Sequence, residues 1–304
     1  MTEHKTVSHD GPLFDAMMRE IDGRLSREGY SIEDRPIAAT REVSVLHGVP
    51  IPIGGVDPER MPPELAAHAP LGAAITGWYD ETYGERLKVD MKPGRTVVRL
   101  DGDLYALSIP RVFGGVAFGV SRVFLPKRTS LAAPAECNII ELVEHMTPTK
   151  AAQLSDDDLR AAERAFITAL WASYTLEATP HPLMDSARAD VATAVTALMH
   201  RGGRFGESKW ASLQAAEKTL KAAIALQGET FPYSHNLTKL AARLIEVGVH
   251  VTVQPLVDAI QCTPGIRYGD EACSEAEAVA AHQASLELVN TLREAGAKFQ
   301  AGIG

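Results

Sequence analysis

The sequence has few cysteines, few aromatic residues and no long apolar run. Of its 304 residues three are cysteine, and aromatic residues make up 6%. Cys137, Cys262 and Cys273 lack Cys-x-x-Cys or other metal-ligand spacing, which argues against a zinc ribbon and favours a reducing compartment. No apolar run approaches the roughly 18 residues that a membrane-spanning helix needs, and the first residues lack the apolar core of a signal peptide. We therefore expect a cytoplasmic protein.

An excess of positive charge is also lacking. The 30 Lys and Arg residues are outnumbered by 39 Asp and Glu residues, which gives a formal net charge of -9. So acidic a chain argues against non-specific binding to a nucleic-acid backbone, and we predict no strong DNA binding. The content of 45% hydrophobic and 23% charged residues is typical of a globular protein. The length favours two domains, since a domain averages about 150 residues.

The amino-terminal region begins with a helical pattern. Apolar residues at helical spacing predict a helix over residues 12–28, and its stripe consists of Leu13, Met17, Ile21 and Leu25. Residues 31–70 are rich in proline and glycine, and the run Val49–Gly55 within them is predicted to be extended or irregular, because each proline removes a hydrogen-bond donor and restrains its predecessor. A short helix is expected over residues 73–87, with Trp78, Tyr79, Tyr83 and Arg86 on it. We interpret these four residues as packing on a sheet rather than as an aromatic recognition surface.

Strand patterns follow. The turn sequence Asp101-Gly102-Asp103 lies between two β-rich runs and predicts a hairpin of residues 96–100 and 104–109. Residues 116–125 predict a third strand, and residues 138–143 fit either a fourth strand or the start of a helix. Glu141, Glu144 and His145 lack a second histidine, so no metal site is predicted. We therefore predict an α+β domain over residues 1–150 with an antiparallel β-meander.

Helix patterns dominate the remaining chain. Ser155 followed by three aspartates is a strong helix start, and predicts a connecting helix within residues 151–182. Further helices are predicted over residues 184–199, from Trp210 to a Gly/Pro loop, from Ser234 onward, and over residues 253–260 and 275–294. Ser274 with Glu277 fits a capping box before the last of them. We predict an all-α, up-and-down bundle over residues 183–304.

Residues 210–240 read WASLQAAEKTLKAAIALQGETFPYSHNLTKL and are the most informative stretch. One face of the first helix is an apolar stripe made of Trp210, Leu213, Ala216, Leu220 and Ile224. Glu217 falls inside this stripe, so its carboxylate must reach water or find a partner. Lys221 is one turn later in the favourable Glu-before-Lys order.

This stretch resembles the signature of HEPN domains, which are small helical bundles. The resemblance lies in AAEKTLKAAIALQG followed by FPYSHNLTKL, and in IRYGDEACSEAEAVAAHQASLELVNTL further on. Together these segments cover residues 187–295, whereas residues 1–150 resemble no family. The resemblance implies an accessory protein whose bundle binds a nucleotide, RNA or a protein partner without catalysis. It also implies a homodimer formed through the helical domain.

The HEPN resemblance suggests one candidate ligand site, at which two loops would meet. An imidazole, a guanidinium and ammonium groups beside a helix start suit a phosphate. The candidate residues are Glu217, Lys218, Lys221, His235, Asn236, Arg267 and Tyr268. The alternative is structural: Asn236 or Ser234 caps a helix, His235 packs locally, and Arg267 pairs with Glu217. The Walker A pattern, the Gly-x-Ser-x-Gly elbow and the dinucleotide fingerprint do not occur, and no cofactor is predicted.

The competing hypotheses are a metal-independent endoribonuclease of toxin or defence type and a purely structural or protein-interaction bundle. In many HEPN domains the catalytic motif is an arginine followed, after a few residues, by a histidine, a pair suited to RNA cleavage. Only Arg243 and His250 fit the bare spacing. Leu244 follows that arginine, and Gly248 is expected to end the helix before His250. His282 in the last helix has no arginine at a suitable distance before it, and is interpreted as a packed or surface residue.

Overall fold

The computed structural model describes residues 9–52, 61–89, 91–112, 115–126 and 135–302. The chain divides into two compact units, Met1–Asp90 and Met91–Gly304. This division lies before residue 150, where the sequence predicts the first domain boundary, because the strands pack with the carboxy-terminal helices. Compact units and family domains need not coincide, so the predicted ranges 1–150, 151–182 and 183–304 stay a prediction.

The first unit is helical. Its helices are α1 (Gly11–Arg27), α2 (Arg35–His47), α3 (Pro63–Ala66) and α4 (Ala69–Tyr83), and a 3-10 turn follows at Gly84–Leu87. α1, α2 and α4 share one core, built around Met18, Ile75 and Tyr79. The apolar stripe predicted for α1 is displaced by one residue at its start, since Phe14 and Met18 are buried whereas Leu13 is exposed.

Helix α2 lies in the proline- and glycine-rich segment of residues 31–70, where the sequence predicted no helix. Pro36 stands in the first turn of α2, where a missing N–H costs nothing. Gly48 ends the helix with φ 65°, the left-handed conformation that glycine adopts without strain. Of the predicted irregular run Val49–Gly55, residues 53–55 lie outside the described residues.

The strands of the second unit form two pairs. β1 (Gly94–Leu100) and β2 (Asp103–Ile109) form the predicted antiparallel hairpin, with Gly94 opposite Ile109. The turn residues Asp101 and Gly102 have φ 48° and 83°, as a type I′ hairpin turn requires. β3 (Val116–Gly119) pairs in parallel with β4 (Ala135–Asn138) instead of extending the hairpin. A 3-10 turn at Ile139–Leu142 then begins with Asn138 as its cap.

The remaining elements are helices. They are α5 (Pro148–Ala151), α6 (Asp156–Ala178), α7 (Pro182–Leu198), α8 (Phe205–Leu226), α9 (Leu237–Glu246), α10 (Gln254–Ile260), α11 (Gly265–Tyr268) and α12 (Glu275–Glu294). Capping boxes at Ser155 and Ser274 start α6 and α12, as predicted. The α+β character and the helical bundle are thus confirmed. No helix in the described ranges is long and apolar enough to cross a membrane.

Helix α8 is the centre of the bundle. Leu213, Leu220 and Ile224 belong to a core shared with α9, α10 and α12. Ala215 and Ala222, on another side of the helix, pack into the core formed with α6, α7 and the hairpin. Small residues on the second side permit the close approach of α7, which follows α8 along its length. The polar side chains of α8 therefore belong to a helix whose position is fixed by packing on two sides.

Candidate functional site

The buried carboxylate of Glu217 accepts hydrogen bonds from two side chains. Its side chain is 6% exposed, its Oε1 lies 2.6 Å from Lys221 Nζ, and its Oε2 lies 2.7 Å from His235 Nδ1. A carboxylate accepts both bonds, so the Nδ1 of His235 carries the proton that is donated. The predicted ion pair of Glu217 with Lys221 is observed in the structure. No ion pair among the described residues joins Arg267 to Glu217.

The ammonium group of Lys221 is enclosed by the loop that follows α8. Nζ lies 5.6 Å from the ring centroid of Phe231 and 5.9 Å from that of Tyr233, distances typical of cation–π contacts. Lys221 itself is almost fully buried, but the His235 side chain is 65% exposed. The ammonium group of Lys221 thus contacts a carboxylate and two aromatic rings, and the imidazole of His235 and the ring of Tyr233 are exposed to solvent.

Lys218 is also engaged by a carboxylate. Its Nζ donates to Asp190 Oδ2 on α7 at 2.5 Å, and both side chains are largely buried. Burial raises the pKa of Asp190, although the hydrogen bond from Lys218 works in the opposite direction. This ion pair fixes α7 to α8, and it neutralises a lysine that the sequence had assigned to a ligand.

A groove lies beside this ion pair, between α7, α8 and α11, and we call it the α11 groove. It has a volume of about 480 Å³, and among its lining residues are Asp190, Trp210, Gln214, Arg267 and Tyr268. The Arg267 guanidinium lies 5.7 Å from the Tyr268 ring centroid. No ion pair within the described part of the chain involves Arg267, and its side chain is exposed. Arg267 therefore offers a free cation at an aromatic groove.

Glycine at the start of α8 sets the position of α11. A Cβ on Gly206 would overlap the carbonyl oxygen of Ile266 and lie 3.1 Å from its carbonyl carbon. Backbone cannot yield as a flexible side chain does, so only glycine permits this approach. The contact places Arg267, the next residue, beside Trp210 in the α11 groove.

The seven candidate ligand residues fall into two groups. His235, Lys221 and Glu217 form one cluster, while Arg267 and Tyr268 line the α11 groove, where His235 is not found. From Trp210 to Lys221 the helix rises about 16 Å, at 1.5 Å per residue. Asn236 caps α9, since its side chain accepts from the backbone N–H of Lys239 at 3.0 Å. Their use as one ligand site stays a prediction.

Asp190, Trp210 and Gln214 are among the groove residues that were not chosen from the sequence. Asp190 and Trp210 carry no local signal, because only the packing of α7 and α11 on α8 brings them to Arg267. The sequence does give a local signal for Gln214, because Gln214, Lys218 and Lys221 form a polar line at helical spacing along α8. Its buried Nε2 has no hydrogen-bond partner among the described residues, and it lines the groove.

The arginine–histidine pair of the ribonuclease hypothesis is poorly arranged. Arg243 is held by Glu229 at 2.9 Å and by Glu246 at 3.2 Å. Helix α9 ends at Glu246, and Gly248 has φ 96°, so His250 lies beyond the helix as expected. The cation that would stabilise a phosphorane-like transition state is already paired with two carboxylates.

His282 is a buried core residue. Its Nε2 lies 3.1 Å from Thr96 Oγ1 on β1, and its Nδ1 has no partner among the described residues. Burial lowers the pKa of His282 to about 4. The imidazole is therefore neutral near pH 7 and inaccessible to a substrate.

The candidates in the amino-terminal half have packing or ion-pairing roles, and the aromatic residues pack in the helical core of α1, α2 and α4 rather than on a sheet as predicted. Tyr79 is fully buried, with its ring centroid 5.1 Å from that of Trp78 and 6.1 Å from that of Tyr83. Glu144 is bound by Arg95 at 2.7 Å and by Ser108 at 3.1 Å. Burial opposes ionisation of Glu144, but these hydrogen bonds hold its pKa below the usual range. Over the described ranges no group of three His, Cys, Asp or Glu side chains is placed to hold a metal ion.

The second unit thus presents an antiparallel helical bundle with a polar line on its central helix and an aromatic groove beside it. Residues 182–294, from the start of α7 to the end of α12, match the family model of the HEPN domain. The resemblance found in the sequence is therefore confirmed for this part of the chain, and the amino-terminal half matches no family model. Comparison with the curated proteins and with the solved structures gave no match.

Proposed function

We propose that the bundle of this protein binds a nucleotide in the α11 groove, and that the chain serves as a cytoplasmic accessory protein without catalytic activity. The observation that carries the proposal is Arg267, an exposed guanidinium with no ion-pair partner in the described part of the chain, beside Trp210 and Tyr268. A guanidinium recognises phosphate through paired hydrogen bonds. The neighbouring rings supply stacking faces for a base.

The dimensions and polarity of the α11 groove support the same ligand class. Its volume of about 480 Å³ lies within the range of small-ligand sites, about 300–1,000 Å³. Gln214 presents an amide whose Nε2 is buried without a partner among the described residues. Asp190, whose pKa is raised by burial, adds an acceptor at the groove wall. Polar base edges have partners here, and the rings cover the base faces.

Two arrangements support the absence of catalysis. Arg243 is bound by two carboxylates, and His282 is enclosed in the core with its pKa lowered to about 4 by burial. The exposed His235, in the loop after α8, is hydrogen-bonded to Glu217 rather than placed beside an arginine. The endoribonuclease hypothesis therefore requires a substrate to break existing ion pairs before Arg243 can act.

A homodimer formed through the helical domain is part of the proposal. HEPN domains often dimerise or engage RNA, and the match at residues 182–294 supports the same assembly here. Size-exclusion chromatography with light scattering tests it. A single monomer mass at micromolar concentrations would refute the dimer without affecting the nucleotide site.

Thermal unfolding of the full chain tests nucleotide binding. We expect ATP or GTP to raise the Tm, since a ligand at 100 times its Kd stabilises the folded state by about 2.7 kcal/mol. Arg267→Ala should remove the shift. Arg201→Ala is the matched control, because Arg201 is exposed in the same unit but does not line the groove.

Two outcomes would overturn the proposal. One is an unchanged Tm with every nucleotide, which would leave a bundle used for protein interaction. The other is cleavage of labelled RNA in the absence of metal, lost on substitution of His250→Ala or His235→Ala. That second result would establish the ribonuclease.

A further inference from the structure

A long groove lies between α1 and α2 in the first unit, and we call it the α1–α2 groove. Its volume is about 920 Å³, near the upper end of the range for small-ligand pockets, about 1,000 Å³. One wall is formed by residues of α1 and its carboxy-terminal cap, spaced three and four apart, namely Met17, Glu20, Ile21, Arg24, Leu25 and Glu28. The facing wall is formed by α2 residues with the same spacing. The groove therefore runs along both helices for about three turns, roughly 16 Å.

The outer face of α2 exposes large aliphatic side chains. Ile37 is 56% exposed, Val45 is 77% exposed and Leu46 is 67% exposed, and all three line the groove. The opposite face of the same helix is already used, because Ala39 and Val43 are buried in the core with α1 and α4. A helix of 13 residues that is apolar on two faces has more apolar surface than its own core requires. Large aliphatic side chains exposed along one groove are typical of interaction sites.

The geometry of the groove fits a helix. Ridges of side chains three and four residues apart on two neighbouring helices form a channel into which a third helix packs. α4 covers the other side of the α1–α2 pair, where Ile75 and Tyr79 complete the core. An added helix in the groove would make a four-helix arrangement. Recognition of an amphipathic helix by its apolar face is a common mode of protein association.

The charges on the rim specify the flanks of that helix. Four carboxylates line the groove, from Glu20, Glu28, Asp34 and Glu42, against two guanidinium groups, from Arg24 and Arg41. Arg24 and Glu42 neutralise each other across the groove at 2.6 Å. Glu20 and Glu28 have no ion pair within the described ranges. The rim is acidic after internal pairing, so it complements basic residues.

We propose that the α1–α2 groove is a docking site for an amphipathic helix of a partner protein, with an aliphatic stripe flanked by lysine or arginine. The stripe covers Ile37, Val45 and Leu46, while the flanking cations meet Glu20 and Glu28. This surface belongs to the first unit and uses no residue of the α11 groove. The chain thus has a partner-binding surface that is separate from its proposed nucleotide site.

Fluorescence anisotropy with the full chain tests the proposal. The probe is a labelled 18-residue helical peptide of leucine and lysine, with leucine at i, i+3, i+4 and i+7, and the matched probe has glutamate in place of lysine. We expect the lysine peptide to bind in about 0.15 M salt and the glutamate peptide to fail. Val45→Glu should weaken binding by about tenfold or more, since it removes a buried aliphatic contact. Val123→Glu is the control, because Val123 is equally exposed but lies in the second unit.

Val45 is exposed, so its substitution leaves the core intact. A second variant, Glu20→Gln with Glu28→Gln, should weaken the lysine peptide and reduce the salt dependence of its binding. Equal binding of both peptides, or equal loss in Val45→Glu and Val123→Glu, would overturn the proposal. So would a dimer in light scattering that Val45→Glu dissociates, because the groove would then be occupied by a second copy.

Discussion

His282 makes the stability of the second unit depend on pH in a defined direction. Burial lowers its pKa from 6.5 to about 4, so the folded state holds the neutral imidazole and the unfolded state takes up a proton first. Its contribution is complete above pH 6.5 and is lost as the pH falls towards 4. At pH 5 the unfolded-state imidazole is almost fully protonated while the folded one stays mostly neutral. The loss of unfolding free energy is then about 2 kcal/mol, at 1.36 kcal/mol per pKa unit.

Urea unfolding measures this loss. Trp78 lies in the first unit, and Trp171 and Trp210 lie in the second, so fluorescence in a Trp78→Phe background reports the second unit. Carboxylates also titrate in this range, and their contribution is removed by comparison with His282→Gln, which keeps a polar group near Thr96 but does not titrate. We expect the wild-type chain to lose about 2 kcal/mol more than this variant between pH 7.5 and pH 5.

The comparison has a clear contrary result. If the difference in unfolding free energy between wild type and His282→Gln is the same at pH 7.5 and pH 5, the imidazole is not held neutral by burial. A wild-type chain that becomes relatively more stable at pH 5 would reverse the sign, and would mean that a carboxylate pairs with His282.

Two further predictions concern packing. Glu217→Leu leaves the Lys221 ammonium buried without its carboxylate, and should lower the free energy of unfolding by about 3–5 kcal/mol, measured with urea. His235→Ala changes an exposed side chain and should lower it by less than about 1 kcal/mol. Equal losses in the two variants would contradict the buried ion pair. Gly94→Ala would place a Cβ 2.6 Å from Ser173 Cβ and should cost about 1–3 kcal/mol. Gly115→Ala, with no atom within 4 Å, is its control, and equal Tm values for both would show that β1 can move away from α6.

Local signals fixed most helices in advance. Capping boxes at Ser155 and Ser274 made the starts of α6 and α12 predictable, since a cap depends on residues three apart in sequence. α2 was missed because its apolar residues occupy two faces: Val43 is buried, whereas Ile37 and Val45 are exposed. Such a helix has no single apolar stripe, so the spacing of its apolar residues does not indicate a helix. The exposed apolar residues that made α2 hard to predict are the same residues that form the proposed docking surface on its outer face.

The site was predictable only where its contacts are local. Glu217 and Lys221 are one turn apart on the same helix, so their pairing follows from the sequence. Asp190 with Lys218 joins different helices, and the parallel pairing of β3 with β4 joins segments separated by a long connection. Contacts of this kind depend on tertiary packing, such as that of α7 on α8 for Asp190 with Lys218, which no sequence spacing encodes. The same packing divided the predicted ligand residues into two groups.

The pairing of the lysines leads to a prediction about salt. Lys218 and Lys221 are each bound to a carboxylate, which leaves Arg267 as the cation available to a phosphate in the proposed site. For a short single-stranded RNA used as the probe, each phosphate contact contributes about -0.7 to the slope of log K against log salt concentration. One contact therefore predicts a slope near -0.7, measured by anisotropy between about 0.05 and 0.2 M salt. A slope near -2 would mean that both lysines leave their carboxylates to meet the ligand, and the ion pairs of α8 would then be a resting state of the site rather than part of its scaffold.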